Sequence, residues 1–439
     1  MSGLNSLQRM KLVVDNGGGE LKAARVTDEI DYKEANLDVN PVVLPHCTAK
    51  SRAEKKFFVA DGLDTAVDLA SLYIRRPHER GYIVNWDVEQ AGSELGRRVL
   101  TAFTAGCVAA HVPQGRASLL VTESLFTPNE MRDNLDEFVF EELGFNKYCC
   151  ASSPLLALAD HKVPFYEGRI VHKACRRIDV GGKVMTNLLK ETLSSRQWNM
   201  MDETILVNAI KERLSFVSQD LERDLTRAKQ RGRTNDIRRL YSLPTSNTPG
   251  VAGQDRLGHV IEGDEAAARS SASPMKRQKV EEGQGAASGK GAQRLEEECV
   301  LEVSNERFTI PEVLFTPRMI GLHQSGIPLA IQSSVRHFDP PMHPLMYSTV
   351  LLVGGNALIP GFHARMLAEV RSLAPSDLHV SVPQGPQPAN LSAWRGGMRL
   401  VGAGALEGAW VTKQEYEEKG HQICRSRFKF ASPSQLDLC

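Results

Sequence analysis

The sequence predicts an α/β protein, and three observations carry that prediction. Strand-like apolar runs alternate with segments whose apolar residues recur at helical spacing. Two of those runs end in a glycine turn, at Asp15–Gly19 and at Gly354–Asn356, where strands of α/β folds usually meet their ligands. Hydrophobic residues make up 41% and charged residues 24% of the 439, the balance of an ordinary soluble globular protein with one large core or two to three domains.

The elements follow in chain order. After a flexible start at 1–10, KLVVDNGGGELKAARV (Lys11–Val26) reads as strand, turn, strand. RASLLVTES (Arg116–Ser124) reads as a buried strand. The next stretch is a helix with Met131, Leu135, Phe138 and Val139 on one face, started by Thr127 and Pro128 and closed by Gly144. A second helix is expected over Glu203–Leu221. Near the other end the plan repeats, with a strand at Thr349–Val353, the Gly354-Gly355-Asn356 turn and a helix over Phe362–Leu373 that Pro375 stops.

Composition excludes several classes. With 53 basic and 53 acidic residues the net charge is zero, which argues against a surface dedicated to bare nucleic-acid phosphates and leaves room only for a local patch. The eight cysteines form no C-x-x-C pair, so a zinc site is not expected, and Cys149 and Cys150 read as reduced thiols in a core segment. No apolar stretch reaches the roughly eighteen residues of a membrane span, and no signal peptide is apparent, so the chain reads as soluble and intracellular.

Residues 245–298 break the globular pattern. Gly, Ser, Ala, Gln and charges dominate and aromatics are absent, so the segment reads as a disordered insertion. Within it, Lys276, Arg277 and Lys279 form a short basic cluster, read either as a nuclear import signal or as a solvated charge run. Ser273-Pro274 beside it is a candidate phosphorylation site.

The glycine turns lack both the phosphate-loop pattern G-x-x-x-x-G-K-[ST] and the G-x-G-x-x-G that opens a dinucleotide-binding helix. Two readings of DNGGGELK remain. Gly17, Gly18 and Gly19 wrap a phosphate, with Asp15 holding a hydrated magnesium ion through water, or the turn is a plain hairpin.

VVDNGGGELKAARV, GYIVNWDVEQ (Gly81–Gln90), YEGRIVHKACRRIDVGGKVMTNLLK (Tyr166–Lys190), FTPRMIGLHQSGIPLAIQSSV (Phe315–Val335), VLLVGGNALIPGF and WVTKQEYEEKG (Trp410–Gly420) resemble motifs of the actin family, in that family's order. The resemblance covers nearly the whole chain outside the first ten residues and the insertion. Within the family, GGKVMTNLLKETLSSRQ, MDET, VSQD and NERFTIPEVLFTP are most similar to a nuclear class of actin-related proteins.

The resemblance implies two similar α/β halves around a central nucleotide cleft. The first half would span 11–145 with a reduced outer subdomain. The second would span 146–400, interrupted by 245–298, and 401–439 would return to the first half. By the same resemblance Asp15, Asn16, Gly17, Gly19 and Lys22 match the first phosphate loop, with Gly18 in place of a serine. Lys211 and Glu212 match the pair beside adenine and ribose. Gly354 and Gly355 match the adenosine turn, where Asn356 replaces a threonine.

The family's second phosphate hairpin has no counterpart. Only His161 and Lys162 separate the helix resembling YCCASSPLLALAD (Tyr148–Asp160) from the VPFYEG strand (Val163–Gly168), so the chain is roughly eighteen residues short where the matching phosphate nest belongs. The second metal-associated aspartate is unmatched, and the water-positioning glutamine falls near Ser152. Either nucleotide clamping has been lost, or the sequence is an incomplete gene product. ATP with magnesium is therefore doubtful as a cofactor, and turnover is not expected.

The resemblance implies a nuclear scaffold subunit of a Swr-type remodelling complex that exchanges variant histone dimers into nucleosomes. Its partners would be remodeller subunits and possible histone or nucleosome contacts. The nucleus is the expected compartment, with the cytoplasm second. No membrane partner and no self-polymer are expected, because Pro45–Glu79 is shorter than the polymer-contacting segment of actin. Trp86 and Trp410 lie in family motifs and read as core or hinge residues; Trp198 is the interface candidate. The alternative function is a slowly hydrolysing, ATP-binding ATPase of the actin superfamily.

Overall fold

The structure, a computed structural model, describes residues 10–27, 39–51, 57–59, 62–63, 72–84, 117–161, 170–230, 235–244, 257–261 and 299–428, with single positions 30, 32, 37, 66 and 86. These fall into two compact units, the first within 10–183 and 313–428, the second within 184–312. No helix among the described residues is long and apolar enough to cross a membrane.

The first unit opens with an antiparallel meander of β1 (Lys11–Asn16), β2 (Glu20–Val26) and β3 (Val42–Pro45). Next, β4 (Thr48–Ser51), β5 (Phe57–Val59) and β6 (Leu72–Arg75) form a small sheet, and β7 (His78–Glu79) pairs with β8 (Tyr82–Ile83). β9 (Ser118–Glu123) lies parallel to β1, and β10 (Lys147–Ser152) lies parallel to β9. Between them run α1 (Asn129–Glu137) and a π-helical turn at Phe138–Glu142, and α2 (Ser153–Asp160) follows β10.

α3 (Gly182–Arg196) leads into the second unit. That unit holds α4 (Thr204–Leu214), α5 (Leu221–Ala228), a sheet of β11 (Arg239–Ser242), β12 (His259–Ile261) and β13 (Val300–Val303), and α6 (Glu306–Glu312). β11 is the central strand, antiparallel to both neighbours. The chain then returns to the first unit with α7 (Ile327–Val335), α8 (His343–Ser348), α9 (Phe362–Leu373), α10 (Ser392–Gly402), β14 (Val411–Thr412), α11 (Lys413–Lys419) and α12 (His421–Phe428). β14 pairs with β10 and completes a six-stranded sheet of order β14-β10-β9-β1-β2-β3.

The central strands are apolar on both faces because both faces are covered. Leu12, Val14, Leu119 and Val121 pack with Phe138, Phe140, Tyr148 and Tyr416. Val13, Leu120 and Cys149 pack on the other side with Trp394, Met398 and Trp410. On that second side α10 closes onto α2, and only glycine permits the approach, since a Cβ at Gly396 would stand 1.7 Å from the Leu156 carbonyl oxygen. Beside it, the fully buried Asp160 accepts from Arg395 Nε at 2.9 Å and Arg399 Nε at 3.3 Å.

Four expectations are corrected. Tyr148–Ser152 is a strand rather than the start of a helix, and the helix begins at Ser153 with Pro154 in its first turn. The helix expected over Glu203–Leu221 stops at Leu214. Ser215 turns extended, and Asp220 caps a new helix by accepting from the Arg223 N–H. The strand expected over Thr349–Val353 is irregular, with one backbone bond among the described residues, from Val350 N–H to the Ser381 oxygen. The disorder expected across 245–298 is corrected at 257–261, where β12 pairs with β11 and the Tyr241 hydroxyl donates to the Leu257 oxygen at 2.6 Å. The rest of that stretch lies outside the described residues. The basic cluster Lys276, Arg277 and Lys279 lies outside the described residues.

Candidate nucleotide site

β1 and β2 pair with Asp15 opposite Lys22 and Asn16 opposite Leu21, so Gly17–Glu20 form the four-residue turn of a hairpin. Gly17 is required sterically, because a Cβ there would lie 2.6 Å from the Glu20 oxygen. All three carbonyls of the turn are tied back to the protein. The Gly17 oxygen accepts from His46 Nδ1 at 2.8 Å, which fixes the proton on that nitrogen. The oxygens of Gly18 and Gly19 accept from Arg76 Nη1 at 3.4 and 3.0 Å, and Gly19 also accepts from the His46 N–H at 3.0 Å. Among the described residues none accepts from the N–H groups of Gly17, Gly18 or Gly19. Amides left free beside anchored carbonyls form the kind of nest that holds an anion.

The charges around this nest are another matter. Asp15 is buried; its Oδ1 accepts the Thr122 hydroxyl at 2.8 Å and its Oδ2 lies 3.5 Å from Lys22 Nζ. Lys22 Nζ also stands 3.7 Å from Glu20 Oε2, so two carboxylates of the chain itself share the cation that should meet a phosphate. The other Thr122 contact, from the Asn16 N–H at 3.0 Å, locks the strand ends together. Among the described residues, the buried atoms Asn16 Oδ1, Ser152 Oγ and Asn390 Oδ1 have no hydrogen-bond partner. The residues therefore fit an anion at the glycine amides, with polar atoms to spare, but offer it little net positive charge.

His78 packs its ring 4.9 Å from that of His46, edge to face, under the turn. Burial, and after it the neighbouring charges of His46 and Arg76, push its pKa down to about 3, so it is neutral at physiological pH.

The structure brings the second glycine turn into the same unit. Gly354, at φ +93°, donates its N–H to the Ala389 oxygen at 3.0 Å. The residue after Ala389, Asn390, donates to Glu20 Oε2 at 3.4 Å, so the 3₁₀ turn Ala389–Leu391 touches both glycine turns. Gly355 and Asn356 begin a 3₁₀ turn that ends at Leu358. Lys211 and Glu212 lie on α4 of the second unit. Lys211 is buried, donating to the Thr186 hydroxyl at 3.0 Å and to Asn208 Oδ1 at 2.8 Å, and Asn208 in turn donates to Glu212. The junction at Lys162–Gly168, where the second hairpin would stand, lies outside the described residues.

Thr122, His46, Arg76, His78 and Asn390 were not singled out from the sequence. Only Thr122 carried a usable signal. It ends an apolar run, and the parallel register of Val14 with Val121 sets it level with Asp15.

Comparison with known proteins gives the family. The family model for actin matches residues 6–429, and the chain belongs to the actin family. Its relatives include Actin-related protein 6 of rice (Oryza sativa subsp. indica), 35% identical over 450 residues, covering 95% of this chain and 98% of the relative. Actin-related protein 6 of Arabidopsis thaliana is 33% identical over 447 residues, covering 95% and 99%. Actin-like protein ARP6 of Yarrowia lipolytica is 32% identical over 437 residues, covering 95% and 97%.

Proposed function

We propose that this chain is a nuclear, non-polymerising scaffold subunit of a Swr-type chromatin-remodelling complex that exchanges variant histones, and not an active ATPase. The observation that carries the reading is Lys22 held between Asp15 and Glu20 at 3.5 and 3.7 Å. A phosphate at the glycine turn would have to compete with two carboxylates for that cation. The chain also offers Ser152 where the family places a glutamine, and a seryl hydroxyl is too short to position an attacking water. The kinship with proteins named Actin-related protein 6 supports the complex and its compartment as the reading. Trp198, 48% exposed, and Met201, 45% exposed, sit together in the α3–α4 connection and supply an apolar anchor for a partner subunit.

Affinity purification of the tagged chain from nuclei tests this. Co-elution of a remodeller ATPase together with a variant histone is expected. A chain recovered alone, or in the cytoplasm only, would contradict the proposal. A second reading, nucleotide bound as a structural ligand without turnover, is favoured by one feature, the three free amides of Gly17–Gly19.

A further inference from the structure

A surface of the first unit, away from the glycine turns' own residues, combines uncompensated cations with exposed apolar side chains. Its centre is Arg176. Arg176 donates from Nε to the Ser333 hydroxyl at 3.1 Å and from Nη1 to the Lys173 oxygen at 2.8 Å, and its Nη2 lies 2.9 Å from His337 Nε2. His337 Nδ1 meets the Ser333 oxygen at 2.8 Å, so that nitrogen carries the proton and Nε2 accepts from Arg176. The guanidinium thus staples the 171–177 turn to the end of α7. Lys173, Arg176 and Arg336 are exposed, and among the described residues no carboxylate pairs with any of them. The adjacent Arg177 differs, with Asp179 at 3.2 Å.

Apolar groups border these charges. Val171 is 42% exposed, and Phe126, 44% exposed, tilts against the His172 ring at 6.5 Å. Phe126 is held at φ +63°, a conformation a bulky side chain rarely adopts. The turn around it is pinned by Thr127 Oγ1 to the Ser124 oxygen at 2.8 Å and by the Tyr82 hydroxyl to the Leu125 oxygen at 3.2 Å. Pinned in this way, the turn holds an aromatic ring in water beside a basic patch.

We propose that Phe126, Val171, Lys173, Arg176 and Arg336 form a docking surface for an acidic protein segment that lays an apolar side chain against Phe126. Charge complementarity selects the acidic partner, since three unpaired cations stand out on a chain of zero net charge. The exposed ring and valine select a protein over a nucleic-acid backbone. Phosphates would leave both wet, and about three ion contacts make a weak duplex site.

Fluorescence anisotropy on the full chain, in about 0.1 M salt, tests the proposal. The probes are a short labelled peptide alternating glutamate with leucine, its glutamine counterpart, and a short DNA duplex. The acidic peptide should bind about tenfold tighter than the glutamine peptide and tighter than the duplex. Lys173→Glu with Arg336→Glu, two changes that leave the Arg176 staple intact, should remove that preference. Phe126→Ser should weaken the acidic peptide severalfold without changing its salt dependence. Equal binding of the two peptides, tighter binding of the duplex, or variants that melt as the parent does yet keep the preference would each overturn it.

Discussion

KLVVDNGGG at Lys11–Gly19 and TVLLVGG at Thr349–Gly355 are both apolar runs that end in glycine turns, yet only the first is a strand. β1 has β2 as its hairpin return and β9 as a parallel neighbour, and Leu12, Val13 and Val14 are fully buried. Among the described residues Thr349–Val353 has one backbone bond, from Val350 to Ser381, and Val353 is 41% exposed. β propensity is largely a measure of what neighbours a residue can pack and pair with, so the same residue types fold differently when the neighbours differ. The family places a hairpin between Asp160 and Val163, and this chain spends two residues there. The two runs differ in their pairing partners more than in residue type. We infer that a hairpin at this position would supply the partner that the second run lacks among the described residues.

Hydrogen exchange should show the contrast at its largest. Amides of Leu12–Val14 are expected to open only with global unfolding, at about 5–15 kcal/mol, whereas those of Leu351–Val353 should exchange at close to zero protection. Grafting a short D-N-G hairpin between His161 and Lys162 sharpens the test, because protection at Leu351–Val353 should then rise by several kcal/mol-equivalents within about that range. Equal protection in the parent chain would break the comparison. Next in size, Asp160→Ala strips the buried Arg395 and Arg399 of their shared carboxylate. It should cost about 3–5 kcal/mol in denaturant titration, showing that the intact side of the sheet carries the stability.

The glycine turns themselves give a smaller contrast. Gly17→Ala should cost about 1–3 kcal/mol, because its Cβ meets backbone at 2.6 Å, while Gly355→Ala, with no atom within 4 Å, should stay within about 0.5 kcal/mol. The effect of pH is the smallest at neutrality and grows with acid. His78 keeps its folded pKa near 3 against 6.5 when unfolded, so below pH 6.5 the unfolded chain takes up a proton that the folded one refuses. Stability should therefore fall by up to about 1.4 kcal/mol per pH unit as pH drops from 6.5 towards 3. His78→Leu should flatten that slope in melts taken across the range.

Much of the fold was legible because its signals are local. The helix at Phe362–Leu373 is bounded in the structure as its periodicity and Pro375 imply, and β9 falls inside the run read at Arg116–Ser124. The hairpin at Asp15–Lys22 was equally plain. Failures came where a distant partner decides. Thr349–Val353 finds no strand partner among the described residues, and Glu203–Leu221 was broken at Ser215, beyond which the Phe216 N–H bonds to the Arg307 oxygen. Of the candidate site, the glycine turn was legible in the sequence but not the groups that surround and anchor it. Glu20 and Lys22 meet only once β2 is formed, and Arg76 and His46 reach the turn from other strands and loops.

The central claim is that one phosphate turn, its lysine already neutralised, does not sustain ATP turnover. Isothermal titration of the purified chain with Mg-ATP, followed by phosphate-release measurement on the same sample, tests it most directly. The account predicts binding weaker than micromolar, or none, and no phosphate release above the buffer rate. Micromolar or tighter binding with measurable release would contradict it.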